Sequence, residues 1–299
     1  METTIKLAVQ MKDPPRALRW FKVYIDEGGN DPALRALYPQ VLSVGGDHAG
    51  AVREAKALVQ ANDAAGRPTP DNILRTLGSS ANAVGDQANY QLALEHLVVS
   101  TGRADYWGDL ISRVTRRDGF AEERLRLDVY RLMQAVGVEM AGDEYVEIAE
   151  RAQQAGQPIE ALKALDTAKE KGLLGQIKNQ SGLQKLRDQV SKSAAQDRAS
   201  LDESEKSALA AKDGSALVNV GLAVWSTGAA ERAAGLMNQG IAKGGLRRPD
   251  EAQLRLGMVQ ASAGRADDAQ RAFAAVTGTD GTADLARLWM LQLKATPKK

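Results

Sequence analysis

A repeat of 36 residues in the last third of the chain constrains its fold more than any other feature of the sequence. The stretch from 217 to 240 aligns with the stretch from 254 to 276. The aligned pairs are Gly221 and Gly257, Gly228 and Gly264, Ala233 and Ala269, and Met237 and Phe273. Periods of about 20–50 residues are typical of arrays of stacked supersecondary elements, so we expect an array of this kind.

Each repeat is predicted to be a helical hairpin. Leu217, Val220 and Val224 are three and four residues apart, which places them on one face of a helix. Gly264 is predicted to end the first helix, because glycine adopts the left-handed conformation of a helix end most easily. Gly257 lies within that helix, where we expect its missing side chain to let the second helix approach. A phosphate-binding loop is the alternative, but the required G-x-x-x-x-G-K-[ST] string is absent from the sequence.

Further hairpins are predicted along the rest of the chain. The segments are 73–97 and 145–168, the weaker 4–29, 36–62 and 105–137, and a single closing helix at 281–293. Aromatic residues make up only 4% of the sequence, and alanine and leucine are frequent, which suits packed helices better than sheets. The sequence therefore predicts an all-α array of six or seven hairpins and a closing helix.

The segment 181–214 interrupts this pattern. It has few large apolar residues after Val190 and no turn signal before Asp213 and Gly214, so we expect one long helix with much of its surface in solvent. Its alternative role is an arm that binds a partner. We therefore predict an N-terminal array over 1–180, a connecting helix over 181–214, and a C-terminal pair of hairpins with a closing helix over 215–299.

The hairpins resemble the tetratricopeptide repeat, a helix–turn–helix of about 34 residues. The residues that carry the resemblance are Leu256, Gly257, Ala269, Phe273 and Val276 in one hairpin and Leu77, Gly78, Leu94 and Leu97 in another. Tyr90 departs from the pattern, because the family usually has alanine at that place. The resemblance implies a right-handed superhelix, or α-solenoid, with a concave surface formed by first helices.

Two stretches, "RALRWFKVYIDEGG" and "GIAKGGLRRPDEAQLRLG", are similar to exported tetratricopeptide proteins of Gram-negative bacteria. This similarity implies a periplasmic location if the precursor carries a signal peptide, and a cytoplasmic one otherwise. No signal peptide is visible in the opening "METTIKLAVQ", and no apolar run approaches the roughly 20 residues that span a bilayer. We expect no transmembrane segment.

The residue types needed for catalysis or metal binding are scarce. The chain has no cysteine, which excludes disulfides, Cys-ligated zinc and thiol catalysis. We expect His48 to lie exposed in a turn, and His96 to lie on a second helix, at its flank or partly buried. The alternative for His96 is catalysis or metal ligation. The carboxylates are predicted to cap helices or face solvent, and residues 277–284 lack the acidic ligands of a calcium loop. We therefore predict no enzyme activity, no cofactor and no metal site.

The charge pattern argues against a nucleic-acid partner. The formal net charge is +1, from 39 basic and 38 acidic residues, so the positive charge that phosphate binding requires is not present in excess. Six arginines are concentrated in residues 112–132, close to acidic residues. We expect salt pairs within the chain there, and docking of an acidic partner segment is the alternative.

The resemblance implies which first-helix residues line the concave groove. They are Asn72, Arg75, Asn82, Ser112, Arg116, Glu150, Gln153, Leu222, Trp225, Arg255 and Met258. Trp225 and Met258 would add apolar surface suited to an extended peptide or a partner helix. The alternative for Trp225 is packing against the neighbouring hairpin or under the long helix.

These observations favour a non-catalytic scaffold or adaptor that binds a peptide or protein segment in the groove, within a cell-envelope assembly. One alternative is a structural module that associates with itself. Another is a small-molecule-binding or enzymatic protein on a helical scaffold, which would require polar groups clustered in a closed pocket.

Overall fold

The computed structural model describes residues 1–295, and these residues form an all-α fold. Sixteen α-helices and one short 3₁₀ helix are present over this range, without a β-strand. Neighbouring helices pack in series, as in a helical-repeat solenoid. The chain divides into two compact units, Met1–Leu110 (unit 1) and Ile111–Lys294 (unit 2), and the division falls within the seventh helix.

Unit 1 consists of three hairpins followed by the start of α7. Its helices are α1 (Glu2–Gln10), α2 (Pro14–Asp26), α3 (Pro32–Val44), α4 (His48–Ala64), α5 (Asp71–Ala83), α6 (Gln87–Thr101) and α7 (Ala104–Thr115). One apolar cluster joins α1, α2 and α3 around Phe21 and Leu34, and a second joins α4, α5 and α6 around Leu77. Tyr90, which replaces the expected alanine, donates its hydroxyl to Asp109 Oδ2 at 2.6 Å.

Unit 2 contains the remaining helices. They are α8 (Glu122–Ala135), α9 (Gly142–Gln154), α10 (Pro158–Glu170), a 3₁₀ helix (Leu173–Gln176), α11 (Gln180–Ala210), α12 (Ser215–Ser226), α13 (Ala230–Lys243), α14 (Pro249–Ser262), α15 (Ala266–Ala274) and α16 (Thr282–Lys294). An apolar cluster from α8 to α11 surrounds Tyr145 and Leu165. The predicted closing helix at 281–293 corresponds to α16.

The two roles predicted for the repeat glycines are confirmed. Gly264 has φ +75° in the turn between α14 and α15. Gly257 packs directly against the second helix, since a Cβ added there would lie 2.5 Å from the Phe273 ring. Gly221 makes the equivalent close approach to Met237 one repeat earlier.

A left-handed residue before the second helix recurs in the hairpin turns. Gly85 and Gly156 occupy this position with φ +73° and +71°. In the first hairpin the position is held by Lys12, with φ +53°. Asp13 then accepts a hydrogen bond from the backbone N–H of Arg16 and caps α2.

The segment 181–214 contains the long helix α11, in which only Leu183, Val190, Ala194 and Ala208 are buried. It does not separate the two compact units, which divide near residue 110 instead. The reason is that α11 packs within unit 2: its first half lies against α9 and α10, and Asp202 and Glu205 pair with Arg232 of α13. Helix α11 thus packs between hairpins of unit 2 although much of its surface is exposed to solvent.

Candidate binding cavity of unit 2

Unit 2 contains a cavity of about 640 Å³ that is partly open to solvent. Residues of α8, α9, α10, α12, α14 and α16 line it, together with the loop between α8 and α9. Inner faces of helices from both ends of unit 2 therefore meet around one space. A volume in the range of about 300–1,000 Å³ is typical of ligand-binding pockets.

Aromatic and apolar side chains from α12, α14 and α16 form one wall of the cavity. The indole N–H of Trp225 donates to Ser262 Oγ on the neighbouring hairpin at 2.8 Å, which fixes the ring. Trp289 is buried and stacks on Phe273, with ring centroids 6.0 Å apart. Met258 is buried beside them. The wall is therefore held in place by contacts within unit 2, independently of any ligand.

Residues of α8, α9 and α10 supply polar groups to the lining. Lys171 follows α10, and its ammonium donates to the Tyr145 hydroxyl at 2.8 Å. Lys163 is exposed and lies two helical turns earlier. Glu139, in the loop between α8 and α9, is exposed on the same lining. Gln292 of α16 contributes a buried Oε1 that has no hydrogen-bond donor.

A buried ionic network lies beside the cavity. The guanidinium of Arg131 donates to Glu160 at 2.7 and 2.6 Å and to Asp128 at 2.6 Å. Asp128 also accepts from Arg255 at 2.9 Å. Arg131 lines the cavity, 6.0 Å from the centroid of the Trp225 ring. The network therefore links the polar and aromatic parts of the lining.

The charges of this network stabilise one another. Burial by itself would raise the pKa of Asp128, but Arg255 and Arg131 outweigh it and hold the pKa below its usual value. Burial opposes the charge of Arg131 as well, and Glu160 and Asp128 nevertheless raise its pKa. Asp128, Arg131 and Arg255 are therefore ionised near neutral pH, because each lies in a pair that a buried charge requires.

The same network joins the beginning of unit 2 to its end. Arg255 belongs to α14 and Asp128 to α8. Arg124 of α8 also pairs with Glu251 of α14 and with Asp280, just before α16. The backbone N–H of Ala121 donates to the Asp280 carbonyl at 2.8 Å. Unit 2 is therefore closed by contacts between its first full helix and its last hairpin.

The predicted groove residues are distributed over both units. Asn72, Arg75 and Asn82 lie exposed on α5 of unit 1. Arg116 and Glu150 are exposed in unit 2, and Ser112 is partly buried and accepts a hydrogen bond from the Arg116 guanidinium. Of the eleven residues, those that line the cavity are Trp225 and Met258.

The other predicted residues contact neighbouring helices. Leu222 is buried within α12. Gln153 donates to Ser193 of α11 at 3.3 Å, and Arg255 pairs with Asp128 and Glu251. Trp225 makes the neighbouring-hairpin contact considered as an alternative, while part of its ring faces the cavity.

Several lining residues were not anticipated from the sequence: Arg131, Tyr145, Glu160, Lys163, Lys171 and Trp289. The arginine-rich stretch at 112–132 pointed in part to Arg131, since the salt pairs predicted there within the chain are present. Their carboxylates, however, include Glu251, Asp280 and Asp284, which are far away in the sequence.

Neither histidine is among the residues that line the cavity. His96 is partly buried, with Nε2 at 3.4 Å from Asp63 Oδ2, and His48 is partly buried at the start of α4. Over residues 1–295, no group of three or more histidine or acidic side chains is placed to hold a metal ion. None of the helices in that range combines the length and apolarity needed to cross a membrane.

The fold and the cavity define the chain as an all-α protein of helical hairpins packed in series, with a ligand-sized space inside unit 2. No protein-family model matches the chain, and a search of curated proteins finds no significant match. The likeness to tetratricopeptide repeats accordingly stays a prediction from the sequence.

Proposed function

We propose that the protein is a non-catalytic scaffold or adaptor of tetratricopeptide type, and that unit 2 binds a segment of a protein partner in its cavity. The observation that carries the proposal is the preformed aromatic wall: Trp225 and Trp289 are fixed by contacts with Ser262 and Phe273 and still line an open space. Preorganised aromatic side chains are typical anchors of protein recognition, because little side-chain entropy is lost on binding.

Affinity capture with three purified chains tests this proposal. The bait chains are wild type, Trp225→Ala, and Trp20→Ala, which removes a partly buried tryptophan of unit 1 as a matched control. We expect a protein that wild type and Trp20→Ala retain and that Trp225→Ala loses, with circular dichroism showing unchanged helix content. Capture of the same proteins by all three chains would contradict the proposal.

A small-molecule ligand is a second candidate, favoured by the cavity volume of about 640 Å³. Native mass spectrometry of the purified chain distinguishes the two. A retained mass below about 1,000 Da, lost in Trp225→Ala, would favour the small molecule. The same spectra over a range of protein concentrations test self-association, which predicts dimer peaks that grow with concentration.

We further propose that the partner belongs to a cell-envelope assembly, on the strength of the two stretches similar to exported proteins. Comparing capture from envelope and cytosolic extracts tests this location. Enrichment of the Trp225-dependent partner in the cytosolic extract would contradict it.

A further inference from the structure

The cavity carries positive charge that the protein itself does not neutralise. Lys163 and Lys171 both line it, and both ammonium groups are without a carboxylate within ion-pair distance among the described residues. Lys171 donates to the hydroxyl of Tyr145 instead.

The other charges of the lining offset these lysines only in part. Arg131 and Glu160 are buried and paired with each other, so they cancel. Glu139 is the one remaining carboxylate among the lining residues, against two ammonium groups. The accessible part of the cavity is therefore suited to an anionic group.

The apolar part of the lining sets a second requirement. Trp225, Met258 and Trp289 come from α12, α14 and α16, whereas the two lysines come from α10 and the residue after it. An occupant that satisfies both parts carries a bulky apolar group and a carboxylate. A peptide with an aromatic or large aliphatic side chain next to aspartate or glutamate has this chemistry.

From this charge complementarity we propose that the cavity binds an acidic, apolar peptide segment, whose large side chain packs on Trp225 and Met258 and whose carboxylate pairs with Lys163 and Lys171. The inference rests on the proposed function and names the chemistry of the partner segment. Because both ion pairs would be partly exposed, each lysine contributes roughly a two- to fivefold gain in affinity, which decreases as salt is added.

Selection from a phage-displayed library of random 12-residue peptides on the wild-type chain tests the proposal. Enriched peptides are synthesised, and their dissociation constants are measured by fluorescence anisotropy. The proteins are wild type, Trp225→Ala, the cavity variant Lys163→Gln/Lys171→Gln, and the control Lys169→Gln/Lys178→Gln. The control removes the same charge at two exposed lysines that do not line the cavity.

We expect the enriched peptides to have aspartate or glutamate next to a large apolar residue. The cavity variant should bind them about four- to 25-fold more weakly than wild type, and the control variant should bind them as wild type does. Changing the acidic residue of the peptide to its amide should cause a similar loss, with no further loss in the cavity variant.

Other outcomes overturn the proposal in distinguishable ways. Neutral or basic peptides that require Trp225 but not the lysines would leave the proposed function standing and refute the acidic segment. Equal weakening by both lysine variants would show only an effect of overall charge and would also refute it. If no peptide is enriched on wild type over Trp225→Ala, the proposed function fails as well. In that case, binding of decanoate to wild type would identify a small amphipathic carboxylate as the occupant.

Discussion

Replacing Asp128 with asparagine tests whether the buried ion pairs hold unit 2 closed. Only 1% of Asp128 is exposed, and it accepts hydrogen bonds from Arg131 and Arg255. Asparagine has nearly the same shape but no charge. After the change Arg131 retains Glu160, and Arg255 retains Glu251.

The size of the effect follows from this arrangement. Removing one partner of a buried ion pair costs about 3–5 kcal/mol. Since both guanidinium groups keep a second carboxylate, we expect the lower end of that range, about 3 kcal/mol. This loss corresponds to roughly 150-fold faster hydrogen exchange of amides in α8 and α14, where exchange proceeds through opening of unit 2.

Arg265→Met is the matched control for this experiment. Arg265 pairs with Glu231 and Asp268 in unit 2, but it is substantially exposed. Pairs of this kind are worth about 0–1 kcal/mol, so the control should leave exchange in α8 nearly unchanged. If α8 amides exchange no faster in Asp128→Asn than in Arg265→Met, the assignment of the network as the closure of unit 2 is refuted.

Three further predictions concern helix packing, one turn and the pH dependence. Gly257→Ala should lower the free energy of unfolding, measured in urea, by about 1–3 kcal/mol, because its Cβ would overlap the Phe273 ring. Its control is Gly235→Ala, which has open space at that position and should raise the free energy of unfolding by about 0.5–1 kcal/mol. Lys12→Gly should raise the free energy of unfolding of unit 1 by about 0.5–1 kcal/mol, since a lysine in the left-handed conformation is strained. The melting temperature should rise accordingly, and a lower melting temperature would contradict this prediction. Folding lowers the pKa of Asp128, so the ionised carboxylate stabilises unit 2 fully above its unfolded-state pKa of about 3.9. This stabilisation is lost as the pH falls through the folded-state pKa. Hydrogen exchange in α8 should therefore depend less on pH over this range in Asp128→Asn than in wild type.

The features predicted correctly from the sequence are those that depend on neighbouring residues. Gly264 marks a turn because the backbone there has φ +75°, a requirement of the local chain alone. Predicting the role of Gly257 also required knowing that two consecutive helices pack together. The alignment of Gly257 with Gly221 in the repeat indicated this packing. Hairpin formation and helix type therefore follow from the repeat itself.

The closure of unit 2 could not be predicted in this way. Whether Arg124 contacts Glu251 and Asp280 depends on the summed rotation of all the hairpins between them. Small differences in the rotation of each hairpin therefore decide where the last hairpin lies relative to α8. The predicted groove residues assumed an open series of first helices. In unit 2, Arg255 instead forms part of the contact between α8 and α14, and Trp225 faces a cavity that this contact helps to enclose.

Arg131 links the contact between α8 and α14 to the cavity, because it pairs with Asp128 and also lines the cavity. Its guanidinium pairs with Asp128 in the network that joins α8 to α14, and its cavity side lies against the Trp225 ring. Buried ion pairs contribute little net stability compared with apolar packing, but they disfavour arrangements that leave a charge unpaired. A shift of α8 away from α14 would separate Asp128 from Arg255 and also move one wall of the cavity. We therefore expect Asp128→Asn to weaken peptide binding even though Asp128 does not line the cavity.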